Sequence, residues 1–169
     1  MKTGRLTALA LLSAMALSLF VIELQIPPLT PVPGIKLGLA NIVTVFTVFA
    51  FRGRDGALVL AVRVFLGALF SGNFGTIFYS AAGGALAILV TVALKRILTN
   101  KQLWVAGALG AVAHSIGQMA AAIVISGTPG LVLYLPVMVA CSVVAGIFTG
   151  LCAQILLNRG EKLWKTTFR

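Results

Sequence analysis

The sequence predicts an all-α integral membrane protein: a single transmembrane domain over residues 1–169 with six membrane-spanning helices. Three observations carry this expectation. Apolar residues make up 60% of the chain and charged residues only 9%, against about 25% charged in a soluble domain. The apolar residues fall into six runs, and 169 residues suit six spans of about 20 residues with short connections. The basic residues gather in alternate connections, as they do when one side of a membrane retains them.

The six runs are 6–26, 37–51, 56–71, 76–98, 103–126 and 131–157. The first follows a basic start, Lys2 and Arg5, as a signal peptide would, but it is too long for a signal core and lacks a small-residue cleavage site. The second and third are short for a full crossing, which calls for tilt, broken ends or a thinned bilayer. The first connection on one side, residues 27–36, holds four of the six prolines, Pro27, Pro28, Pro31 and Pro33. Proline removes amide donors and blocks helix, so this segment is extended and semi-rigid, either a stiff loop or a lid over a cavity. The other connections on that side, around Ser71–Gly75 and Gly127–Gly130, have turn chemistry.

Eleven of the thirteen Lys and Arg residues lie in the two terminal segments, in the second-to-third connection, and in the fourth-to-fifth connection with the end of the fourth run, where Lys95 and Arg96 stand. With six spans these four segments share one side. Positive loops stay cytoplasmic, so both termini are expected in the cytoplasm. The net charge of +10 therefore reflects membrane orientation and contact with anionic lipid, and not nucleic-acid binding.

Catalytic machinery is absent from the sequence. Its acidic residues are three, Glu23, Asp55 and Glu161, too few and too scattered for a carboxylate-held magnesium cluster. No glycine-rich phosphate loop followed by Lys-Ser/Thr exists. Cys141 and Cys152 lie on one predicted helix, about 16 Å apart, so they cannot pair with each other. One histidine and two distant cysteines supply no zinc site. Neither an enzyme nor a resident cofactor or metal is expected.

Polar residues inside the spans are few, and each carries weight. Arg63 is central in the third run. A guanidinium is expensive at membrane depth and cannot shed its charge, so it must meet a carboxylate, water, carbonyls or an anionic ligand. Glu23, near the end of the first run, is either an interfacial carboxylate or the counter-ion of Arg63 or Lys36. Lys36 either snorkels to the interface or stands at a pocket mouth. Asn41 either bonds across helices or joins a site. His114 and Gln118, four residues apart, share a helix face near Gly107, Gly110 and Gly117, which suits close helix packing or a cavity wall. Arg63, His114, Gln118, Asn41, Lys36 and Glu23 are the candidate substrate-binding set for a small, anionic or amphipathic molecule such as an isoprenoid or quinone precursor or a vitamin. Small-xxx-small steps recur at Ala10/Ala14, Gly83/Ala87 and Gly146/Gly150, and Ala10/Ala14 is a candidate docking step for another membrane subunit.

Three stretches resemble the bacterial Gx transporter family, also labelled heptaprenyl diphosphate synthase component I. They are residues 33–41, PGIKLGLAN; residues 63–67, RVFLG, leading to Ser71 and Gly72; and residues 110–118, GAVAHSIGQ. Members of that family often carry Asn after the histidine, where this chain has Ser115. The family looks like a relative of the substrate-binding S components of energy-coupling-factor transporters. That resemblance implies an S-component-like bundle in the bacterial cytoplasmic membrane. It also implies a scaffold membrane subunit and ATPase subunits as partners, with the scaffold meeting Ala10 and Ala14. The synthase label implies instead an accessory role in making the isoprenoid chain of menaquinone.

Overall fold

Six α-helices and one 3-10 helix carry the chain in the computed structural model, which describes residues 3–26 and 38–167, with side chains as far as 160. They are α1 (Thr3–Gln25), α2 (Leu39–Ala50), α3 (Gly53–Ser71), α4 (Thr76–Leu94), α5 (Leu103–Ser126), the 3-10 helix Pro129–Tyr134, and α6 (Leu135–Thr167). No strand occurs among the described residues. Four helical stretches are long and apolar enough to cross a membrane: Thr3–Gln25, Thr76–Leu94, Leu103–Ser126 and Pro129–Gly160. Their outward side chains are apolar too, with Leu11, Leu89, Val124 and Val144 exposed, which fits a membrane-embedded protein.

The other two helices account for the short runs. α2 has 12 residues, about 18 Å of helix, and a bilayer core is about 30 Å thick. It is the centre of the bundle and packs on α1, α3, α4, α5 and α6. Every residue from Val43 to Phe49 is buried, as expected for a helix apolar on all sides. Thr47 satisfies its hydroxyl on the Val43 carbonyl at 2.6 Å. α3 has 19 residues but includes Arg54, Asp55 and Arg63.

Element boundaries move for local reasons. α3 starts three residues before the apolar run at 56, because Asp55 accepts the Arg52 amide at 3.0 Å and forms the first turn. Asp55 is buried and pairs with Arg5 of α1, so the one aspartate fastens α1 to α3. α4 stops at Leu94 rather than 98. There Lys95 turns its ammonium to the carbonyls at the end of α2, Val48 at 2.6 Å and the C-cap Phe51 at 2.7 Å. Burial lowers the Lys95 pKa, against the opposing pull of Asp55. The run from 131 begins as a 3-10 helix, and α6 starts only at Leu135, with Pro136 in its first turn, where a missing amide does no harm.

Glycines set the closest helix approaches. A Cβ on Gly107 would lie 2.3 Å from the Gly146 carbonyl oxygen and 2.7 Å from the Gly150 Cα, so α5 and α6 meet backbone to backbone. Gly117 meets Gly83 of α4 in the same way. Two of the small-xxx-small steps thus lie in α4–α5–α6 packing. Ala10 and Ala14 are exposed, while Leu9, Leu12, Ser13 and Ala16 face the bundle.

The bundle is divided lengthwise. One half is a dry core of Leu9, Leu12, Val45, Phe49, Val59, Leu103, Ala153 and Leu157. The other half is bounded by the end of α1, the start of α2, the start of α4, the end of α5 and the start of α6. That half holds Glu23, Asn41, Arg63, His114 and Gln118.

Candidate functional site

A cavity of about 80 Å³ opens in the polar half. Five of the six candidate residues line it: Glu23, Asn41, Arg63, His114 and Gln118. Lys36 and the proline-rich connection lie outside the described residues. A smaller void of about 20 Å³ continues the cavity towards the bundle centre past Asn41, His114 and Thr149 to Thr91 and Gly110.

Glu23 sits in the last turn of α1, and its carboxylate accepts the backbone N–H of Gly38. Gly38 is the N-cap of α2 and has a left-handed φ of 72°, a conformation that favours glycine. A carboxylate is well placed there, because the start of a helix carries unsatisfied amides and partial positive charge. Glu23 is buried, so it is not an exposed interfacial carboxylate. Nor is it in an ion pair with Arg63: among the described residues the one ion pair is Arg5–Asp55. Arg63 still feels the Glu23 charge.

Arg63 is buried, and its guanidinium stacks over the Phe20 ring of α1, 5.8 Å from the centroid. Gly67, one turn further along α3, makes room for that ring; a Cβ there would lie 2.8 Å from Phe20 Cε1. Among the described residues Arg63 has no hydrogen bond or ion pair, and its Nε is buried without an acceptor. A ring face offsets only part of the cost of burying a guanidinium.

His114 faces Arg63 from α5 and feels its charge. The ring rests on α4, with Cδ2 beside Gly83, and hydrogen-bonds the Gly83 backbone. Its other nitrogen, Nδ1, is buried without a partner. Gln118, one turn on, also packs on Gly83.

The sequence reading missed Phe20, Ser80, Ser115, Ser142 and Thr149, which line the same cavity. Ser115 and Ser142 hydrogen-bond each other through their hydroxyls, joining α5 to α6. Ser142 also bonds the Met138 carbonyl at 2.6 Å, and Thr149 the Gly146 carbonyl at 3.2 Å. Ser142, Ala145, Gly146 and Thr149 follow helical spacing, a small polar stripe that could have been read from the sequence. The arrangement is a polar chamber in an apolar bundle. Charge lies on the α1–α3 side, and hydroxyls and an imidazole on the α5–α6 side. No group of metal-ligating side chains converges among the described residues.

The family model for heptaprenyl diphosphate synthase component I matches residues 12–156, and the chain belongs to that family. No curated protein and no solved structure matches the chain.

Proposed function

We propose, from membership of this family as the premise, that the chain is a substrate-binding membrane subunit, similar to the S components of energy-coupling-factor transporters. All six α-helices then cross the bilayer, α2 and α3 as short or tilted spans, with both termini in the cytoplasm. The cavity half faces outward and the dry half inward. The carrying observation is the convergence of Arg63, His114, Gln118, Asn41 and Glu23 on one cavity, with Arg63 in no ion pair among the described residues. A small anionic or amphipathic molecule enters from outside and meets Arg63 with its anionic group. A charge-assisted contact of this kind contributes about 1.5–3 kcal/mol. Without a nucleotide motif, the chain draws energy from partners, a scaffold membrane subunit and ATPases, and Ala10 and Ala14 offer the scaffold an open face.

Native mass spectrometry of the purified chain tests this. A bound small molecule is expected in the wild-type protein and not in Arg63→Met. Accumulation of solute by the chain alone in liposomes, without partners or an ion gradient, would count against it.

The family's description favours a second reading, a membrane accessory of heptaprenyl diphosphate synthesis that holds a soluble prenyltransferase on its cytoplasmic face. Co-purification with such an enzyme and altered product chain length would support it. Unchanged chain length and menaquinone level in a deletion strain would sink it.

A further inference from the structure

The cavity's hydrogen-bonding inventory constrains its ligand more closely than its charge does. Each serine or threonine hydroxyl has one proton. The Ser142 proton goes to the Met138 carbonyl, so the Ser115 proton must go to Ser142. The Thr149 proton goes to Gly146. The three hydroxyls on the α5–α6 wall therefore have only lone pairs to offer. The Gly83 amide is committed to the ladder of α4, so its carbonyl is the group that His114 meets, and the Nε2 side of the ring, next to Cδ2, donates to it. In a neutral imidazole that leaves Nδ1 as a bare acceptor, and it is the buried nitrogen without a partner. On that wall these hydroxyls and His114 Nδ1 thus only accept, while the Gln118 amide both donates and accepts. The facing wall holds Arg63, which only donates, and Glu23, whose carboxylate keeps the chamber close to neutral.

Resting on the substrate-binding reading, we infer that the group this cavity takes is a carboxylate with a hydrogen-bond donor, a hydroxyl or an ammonium, on the neighbouring carbon, and not a diphosphate. The carboxylate meets Arg63, and the donor meets His114 Nδ1 and the Ser115 and Ser142 oxygens. An ionised diphosphate presents only acceptors, so it would leave His114 Nδ1 without a donor, and its several charges would face one cation and the Glu23 carboxylate among the described lining residues. Size agrees. A cavity of about 80 Å³ is smaller than the roughly 150 Å³ that hold a benzene, so it takes a head group of a few heavy atoms.

The experiment measures thermal unfolding of the full chain in mild detergent against rising concentrations of glycolate, glycine, acetate and inorganic pyrophosphate. Glycolate or glycine is expected to stabilise, with an apparent affinity about fivefold or more above acetate, what one net hydrogen bond supplies. Whichever of the two is stronger tells a hydroxy acid from a zwitterion. Ser142→Ala and His114→Phe should narrow the advantage over acetate, and pyrophosphate should not stabilise. Acetate matching glycolate and glycine, pyrophosphate exceeding them, or no shift with either donor-bearing probe overturns the inference. Failure of the parent reading looks different: stabilisation that survives in Arg63→Met would mean that anions do not bind in this cavity.

Discussion

The Glu23 carboxylate holds the Gly38 amide, fifteen residues later in the chain, and so ties the end of α1 to the start of α2. The same carboxylate lines the cavity together with Arg63, so one side chain both closes the bundle and contributes to the cavity's charge. Glu23→Ala should destabilise the protein by about 1.5–3 kcal/mol, the range for a hydrogen bond to a charged group. Glu23→Gln keeps an acceptor for Gly38 and should lose less. Thermal unfolding of the two variants in detergent checks the order; equal losses would mean that the charge, and not the tie, is what matters.

The α5–α6 contact leaves no room for a methyl group. Gly107→Ala would drive a Cβ against the backbone of Gly146 and Gly150, which cannot move aside as a flexible side chain would. A loss of about 3 kcal/mol is expected, the upper end for overpacking. Gly130→Ala, with nothing within 4 Å of its Cβ, should stay within about 0.5 kcal/mol. Unfolding midpoints of the two variants measured side by side decide it.

Arg63, His114 and Gln118 were legible in the sequence because a polar side chain in an apolar run is costly wherever it points, and the cost shows without coordinates. Ser142 and Thr149 were not, because a hydroxyl in a membrane helix can satisfy itself on the preceding turn, as both do. The six helices followed from the apolar runs, but their ends did not. The starts of α3 and α6 depend on Asp55 and Pro136, and the end of α4 coincides with a contact between Lys95 and the carbonyls of Val48 and Phe51, distant in sequence. The Glu23–Gly38 bond was equally hidden, since nothing local in the sequence marks a backbone amide as a carboxylate's partner.

Lys95 caps α2 from outside that helix. Lys95→Met should remove the ammonium's two hydrogen bonds to the Val48 and Phe51 carbonyls and lower stability by about 1.5–3 kcal/mol near neutral pH. The pH dependence has a definite sign. Burial holds the Lys95 pKa below the ordinary lysine value, so above the lowered pKa the unfolded chain binds more protons than the folded one. Wild-type stability should therefore rise with pH, relative to Lys95→Met, between the lowered value and the ordinary one. Unfolding midpoints of the two proteins across that alkaline window would contradict this if the gap between them narrowed.

Arg63 separates stability from binding. Removing one partner of a buried ion pair normally costs several kcal/mol, because the other charge is stranded. Arg63 has no ion-pair partner among the described residues, so Arg63→Met should leave the unfolding midpoint of the empty protein unchanged or raise it, while abolishing ligand retention. Arg63→Lys keeps the charge but loses the planar fork and much of the stacking on Phe20. Binding should weaken at least tenfold, which corresponds to about 1.4 kcal/mol. Phe20→Leu provides the control, because it removes the ring beneath the guanidinium without touching the charge, and it should weaken binding less than Arg63→Lys does. Unfolding midpoints and ligand retention measured on the same three purified variants test this. A sharp fall in the midpoint of Arg63→Met would show that the guanidinium serves the fold, and the charge would then no longer be available as the anchor for a ligand.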